Sequence, residues 1–224
     1  DFCAFVDSDD YIENNMIETL YDAAVHFKAD VAICNWNEVD VNGSCLKQTD
    51  HNEFHRKILS KEEIVNEFLT NKQQLIEGFS WNKLIKKSLF EDYKIVYPDM
   101  KYEDIPTIFK ILMKANSSVY LNDKLYNYVQ HRTSTVHVKN MATAKGYLKA
   151  VEMVKKILKE ENLLDAYYDA YLVYSNSRIL REYGLSYDTI KNHSELKQSY
   201  KEFLKSHSQF QKNDRKEHKL SIMM

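Results

Sequence analysis

Residues 5–12 read FVDSDDYI: an apolar run opening at Phe2 breaks into three acids, Asp7, Asp9 and Asp10, within four positions. Phe2–Val6 has the pattern of a buried strand. Met16–Phe27 carries a helical stripe at Ile17, Leu20, Ala24 and Phe27, and Asp30–Asn35 (DVAICN) reads as the next strand. Strand, helix, strand over this length predicts a parallel crossover, the opening unit of an α/β sheet. In open α/β sheets ligands bind beyond the carboxyl ends of the strands, so the Asp-x-Asp at Asp7 and Asp9 is placed where chemistry occurs. Two such carboxylates can hold a hard divalent cation through oxygen. The plainer reading is that Asp9 and Asp10 start the turn into the next helix.

Further along, Asn42-Gly43 signals a hairpin within the polar stretch Val39–Phe54. Ser60 and Glu63 form a capping box for a helix to about Thr70. Trp81–Phe90 (WNKLIKKSLF) reads as a short helix, and Ile95–Tyr97 as an extended piece ending at Pro98. Glu103–Lys114 is a helix with Pro106 in its first turn, where it is tolerated. Ser118–Leu121 and Leu125–Val129 read as two strands. From Asn140 strand signals cease, and helices are predicted over Met141–Glu161, Asp165–Tyr183 and from Ser186 to about Ser206. The predicted division is therefore residues 1–139, α/β, and 140–224, all-helical.

Composition narrows the partners. A net charge of −2 over 224 residues gives no reason to propose nucleic acid. No apolar run approaches the roughly 18–20 residues of a membrane span, and the expected location, from the cysteines that follow, is cytoplasmic. The three cysteines, Cys3, Cys34 and Cys45, read as reduced thiols. Glycine is scarce at four residues, so no glycine-rich phosphate loop is available, and phosphate binding must use a metal or basic side chains. Lys212, Arg215, Lys216 and Lys219 form a basic end that can contact the anionic inner face of a membrane at about 1 kcal/mol per residue; a solvated terminus is the plainer expectation. Because the chain opens inside a core strand, the reading expects a fragment. An open edge at Phe2–Val6 would then favour a homodimer built on that strand.

Two other motifs fit the acid corner less well. A calcium loop starting at Asp7 has Tyr11 and Ile12 where a ligand and a glycine are required. A magnesium-dependent phosphatase resembling the haloacid dehalogenases would use Asp7 as nucleophile, but Tyr11 stands where that family has Thr or Val; this alternative stays open, as does a non-catalytic helical assembly module.

FVDSDDYI, WNKLIKKSLF, KYEDIPTIFKIL and YNYVQHRTSTVH, in that order over Phe2–His137, resemble the inverting family-2 glycosyltransferases of bacterial surface-polysaccharide synthesis. The resemblance implies the C-terminal portion of a GT-A fold, Rossmann-like with a mostly parallel sheet, followed by a helical C-terminal extension. It implies sugar transfer from a nucleoside diphosphate to a glycan or lipid-linked hydroxyl, with manganese or magnesium held by Asp7 and Asp9. It makes Asp104 the general base, which fits the need for a carboxylate beside the attacking hydroxyl. It places Trp81, Asn82, Lys83 and Glu103 against the acceptor, and His131, Arg132 and Ser134 in a loop over the diphosphate. His137 is a further metal-ligand candidate, though more plainly a surface residue. In that family the first half of the fold holds the nucleotide, so this chain alone is expected to be inactive.

Overall fold

The computed structural model describes residues 1–48, 55–130 and 140–214. Along the chain come β1 (Phe2–Ala4), β2 (Tyr11–Ile12), α1 (Met16–His26), β3 (Val31–Val39), β4 (Cys45–Gln48) and β5 (Arg56–Leu59). They are followed by α2 (Lys61–Thr70), β6 (Lys83–Lys86), α3 (Lys87–Asp92), α4 (Asp104–Lys114) and β7 (Ser118–Val129). The C-terminal helices are α5 (Met141–Glu160), α6 (Tyr168–Leu185), α7 (Tyr187–Lys191) and α8 (Ser194–Asp214).

The strands join one sheet in the order β1-β6-β3-β7-β2, with β4 added to β3 and β5 to β7. The α/β class is as predicted, but the sheet is mixed rather than mostly parallel. Among the described residues β3 and β7 pair in parallel, whereas the other pairings are antiparallel. β1 and β3 do run the same way, as the crossover reading requires. β6 lies antiparallel between them, with Cys3 opposite Ile85 and Ile85 opposite Val31.

That position corrects the helix predicted over Trp81–Phe90. Trp81, Leu84, Ile85 and Leu89 fall at helical spacing, yet Leu84 packs with Ala32 and Cys34 on one sheet face and Ile85 with Val31 and Ile33 on the other. Adjacent side chains on opposite faces define a strand, and only α3 remains helical. β3 alternates in the same way, and both its faces are covered, which is why DVAIC reads as a continuous apolar run. The two strands predicted over Ser118–Val129 are one. A register shift lets Tyr120 pair with Ile33 and Lys124 with Asn35, so the polar residues between them bulge instead of ending the strand. Asn35 Nδ2 bonds Asn122 Oδ1 across that bulge at 3.0 Å. The segment Ile95–Tyr97 lies outside any strand.

Local signals are met where the chain supplies its own partners. Ser60 Oγ accepts from the Glu63 amide at 3.2 Å while Glu63 accepts from the Ser60 amide at 3.0 Å. Gly43 turns the β3–β4 hairpin at φ 82°. α1 covers one sheet face through Met16, Leu20, Ala23 and Ala24. α2 and α4 cover the other, and the helices after residue 140 pack onto the same cluster: the ring of Phe68 meets Phe109 at 4.6 Å and Tyr174 at 5.9 Å. Tyr200 of α8 donates to the Ala144 carbonyl of α5 at 2.8 Å. No described helix is long and apolar enough to cross a membrane.

Candidate active site

Past the end of β1 the chain turns sharply, the Asp10 amide donating to the Asp7 carbonyl at 3.1 Å. Asp10 then turns inward. One carboxylate oxygen accepts from the Tyr126 hydroxyl at 2.7 Å and the other from the Val129 amide at 2.8 Å, while the Tyr126 oxygen accepts from the Asp7 amide at 3.1 Å. Asp10 is thus a fastener between this turn and β7, and the hydrogen bond to it, after burial, holds the Tyr126 phenol well above its usual range. With Asp10 so engaged, Asp7 and Asp9 stay exposed.

Asp7 opens onto a cleft of about 1030 Å³ that Glu103, Asp104, Trp36, Phe79, Trp81 and Tyr128 also line. Its carboxyl is raised by partial burial, then by the neighbouring charges of Asp10, Asp9 and Glu103. Asp7 and the Glu103-Asp104 pair, distant in sequence, therefore share one acidic pole. Asp9 does not line the cleft.

Asp104 opens α4 and is half-buried, its Oδ1 accepting from the Ile105 amide at 2.9 Å. Burial and then Glu103 raise its carboxyl to about 6, against the opposing pull of that amide and of Lys83. A carboxyl that titrates close to neutrality suits proton acceptance. Three close packings fix its place. Gly78 abuts Ile105, since a Cβ there would lie 3.1 Å from the Ile105 Cα. Gly146 of α5 abuts Lys101. Tyr102, held in the left-handed region at φ 61°, packs its ring edge-on against Tyr147 of α5 at 4.9 Å. Such a conformation costs of order 1 kcal/mol and persists where its surroundings enforce it.

Trp81 anchors an aromatic stack, with Phe79 at 4.7 Å, Tyr126 at 4.3 Å, Tyr128 at 5.7 Å and Trp36 edge-on at 5.5 Å. Trp81 is 6% exposed, so it serves the core and the cleft wall at once. Asn82 and Lys83, assigned to the acceptor by the sequence resemblance, lie buried behind that wall. Asn82 exchanges hydrogen bonds with Cys34 of β3, its Nδ2 donating at 2.8 Å and its carbonyl accepting at 3.0 Å. His131, Arg132, Ser134 and His137 lie outside the described residues.

The far wall of the cleft comes from α6, through Ser177, Arg178, Arg181 and Glu182. Arg178 lies 3.8 Å from Glu77 and over the Tyr174 ring at 5.0 Å. These residues had no sequence signal, because charged side chains on a helix ordinarily mark its solvated face.

Among the described residues no three His, Cys, Asp or Glu side chains gather as a metal cage. Asp7 and Asp9, two exposed carboxylates separated by one residue, would suit a site of a different kind. Magnesium-like ions are commonly held by one or two carboxylates plus substrate phosphates, and the mutual repulsion at Asp7 is what a cation would relieve.

The fold has counterparts among solved structures. The solved structure of Staphylococcus aureus TarS 1-349 superposes with a TM-score of 0.61 at 19% identity, covering 93% of this chain and 55% of that one. TarS 1-349 in complex with UDP-GlcNAc gives 0.60 at 18% identity, covering 93% and 57%. No family model matches the sequence. The curated relatives are named glycosyltransferases. Putative glycosyltransferase EpsH of Bacillus subtilis is 28% identical over 172 residues, 75% of this chain and 48% of that protein. Glycosyltransferase GlyG of Streptococcus pneumoniae is 32% identical over 133 residues, 57% and 43% respectively. The chain thus spans about half the length of these relatives.

Proposed function

We propose that this chain carries the catalytic corner of an inverting, family-2 type glycosyltransferase that moves a hexosyl group from a nucleoside diphosphate to a hydroxyl of a polysaccharide or lipid-linked acceptor of the cell envelope. The observation that carries the reading is the acidic pole: Asp7, Glu103 and a carboxyl at Asp104 raised to about 6 meet on one cleft with an aromatic wall. Relatives named glycosyltransferases support it.

In this reading Asp104 accepts the proton of the acceptor hydroxyl as that oxygen bonds to the anomeric carbon. The bond from that carbon to the diphosphate oxygen breaks, and the diphosphate leaves with the electron pair. Glu103 and the cleft-lining Trp81 bound the acceptor side, while Asp7 and Asp9 would hold a manganese or magnesium ion at the donor side. When bound, that cation neutralises charge developing on the diphosphate. His131, Arg132 and Ser134 are assigned to the diphosphate by sequence alone, and an arginine there suits two-pronged pairing with phosphate oxygens. The division at Asn140 is kept as a sequence division, since the helices after it supply one wall of the same cleft.

The setting follows as part of the proposal: a cytoplasmic enzyme, touching the membrane through its basic C-terminal residues. Self-association of this chain would use the outer edge of β1. Exposed Ile17, Tyr21 and Val25 of α1 support that, since Tyr21 meets Phe2 edge-on at 5.9 Å and extends the apolar margin of the strand.

The test is thermal stabilisation by a panel of nucleotide sugars with and without manganese, on a chain of the relatives' length. A ligand that binds the native state must raise the melting temperature. A manganese-dependent rise with one donor, lost in Asp9→Ala, is expected; a flat response to every donor overturns the reading.

A further inference from the structure

Lys83 is among the largest fully buried side chains of the protein. Its ammonium donates to the Phe79 carbonyl at 2.7 Å, the Glu77 carbonyl at 3.0 Å and Asn82 Oδ1 at 2.6 Å. An ammonium has three donors, so all are used within the protein, leaving no donor for an acceptor sugar. The segment from Glu77 to Trp81 has no helix or strand of its own, yet it supplies Glu77, Gly78, Phe79, Ser80 and Trp81 to the cleft. Two of its carbonyls are held by this one side chain. Asn82, bonded to Cys34, ties the same group to the middle of the sheet.

A buried ammonium is costly. Burial lowers Lys83 to about 8, with the charges of Glu77 and Asp104 favouring the charged form. Cys34 itself is held up at about 12 by burial, so it stays a neutral thiol beside Lys83. A methionine would fill the same volume at less cost, which makes the charge the feature to be explained. The groups facing Asp104 are Glu103 and Lys83, and Tyr97 feels both acids while donating to or accepting from Ser80 at 2.8 Å.

We propose that Lys83 is a positioning residue: its ammonium fixes the Glu77–Trp81 segment as the aromatic wall of the cleft and sets a buried positive charge behind Asp104. Its chemical meaning rests on the reading of Asp104 as the proton acceptor. Its geometry does not, and neither measurement below uses a sugar.

The test uses Lys83→Met and Lys83→Arg in the 224-residue chain. The protein has two tryptophans, and both belong to the stack, so near-ultraviolet circular dichroism reports on the wall. Carbon-13 NMR of the Asp104 carboxyl reports on the charge. In Lys83→Met, far-ultraviolet ellipticity is retained, the near-ultraviolet tryptophan signal falls by half or more, and the Asp104 midpoint rises by about one pH unit. Lys83→Arg restores the midpoint in part. A folded Lys83→Met with both signals unchanged overturns the proposal. Should that variant not fold, the unmodified protein decides. Its near-ultraviolet signal should change in the alkaline range as Lys83 loses its proton, more readily than an exposed lysine because it is buried, and a signal that stays flat until the protein unfolds is the overturning result.

Discussion

Gly146 of α5 sits so close to Lys101 that a Cβ on it would lie 2.6 Å from the Lys101 carbonyl oxygen. The contact presses a C-terminal helix against the turn that leads into Glu103 and Asp104. Gly146→Ala must push that turn or the helix aside, and overpacking of this kind costs about 1–3 kcal/mol. Gly184 of α6 has no atom within 4 Å of the corresponding position. Gly184→Ala should therefore stabilise, by up to about 0.5–1 kcal/mol from helix propensity. Urea unfolding of the pair is the check, and equal effects would contradict the packing.

Tyr126→Phe removes a hydrogen bond to the Asp10 carboxylate without opening space. Bonds to charged groups contribute about 1.5–3 kcal/mol, and Asp10 keeps its bond from the Val129 amide, so a loss toward the lower end is expected in urea. The Asp7 amide also loses its acceptor. If Asp7 and Asp9 hold the proposed cation, its affinity should weaken with it, read as a smaller manganese-induced rise in melting temperature.

Asp104 sets a pH dependence whose sign follows from its raised carboxyl. Below the unfolded value near 3.8 it is protonated in both states and costs nothing. As pH rises through about 6 the folded state must ionise a buried group that the unfolded chain ionises freely, and stability is lost. Asp104→Asn keeps the Oδ1 that accepts from Ile105 and carries no charge. It should unfold at a higher temperature than the parent at pH 8 and show no such gain at pH 3.5; if Asp104 is the proposed proton acceptor, transfer by a chain of the relatives' length falls by about 10²–10⁴-fold.

Asp30 has the opposite sign. Burial pushes its carboxyl up, but bonds from the Asn116 amide and side chain and the 2.9 Å pair with Lys86 outweigh this and hold it below the usual range. Its contribution is present above pH 4 and lost as acid protonates it. Asp30→Asn should flatten the acid limb of the stability profile, measured by thermal melts between pH 2 and 5.

Much of this fold was legible because its signals are local. The Ser60–Glu63 box, the Asn42-Gly43 turn, the α1 stripe and the Pro106-containing first turn of α4 each depend on residues a few positions apart. What was misread depends on partners far along the chain. WNKLIKKSLF has helical spacing, and only the vacant place between β1 and β3 makes Lys83–Lys86 a strand. Asn122–Lys124 look like a break because their partner, the bulged register with β3, is some ninety residues upstream. At the site, Asp7, Glu103, Asp104 and Trp81 were found from motifs and are brought to one cleft. The inward turn of Asp10, the burial of Asn82 and Lys83, and the α6 wall with Arg178 and Arg181 were not visible, since burial and closeness are properties of the packed chain.

The register of β1 on β6, Phe2 against Lys86, and the clasp of Tyr126 on Asp10 also set a timetable. During synthesis the chain emerges from its N-terminus, so α1 and the β3–β4 hairpin are free to form early. The acid corner is not: the β6 side of its strand is filled only once residue 86 is made, and its turn lacks a clasp until residue 126. Contacts of such long separation are slow to close. The corner is therefore among the last features of the α/β portion to mature, and a ribosome stalled before β7 would hold a chain with every acid of FVDSDDYI present and none of them in place.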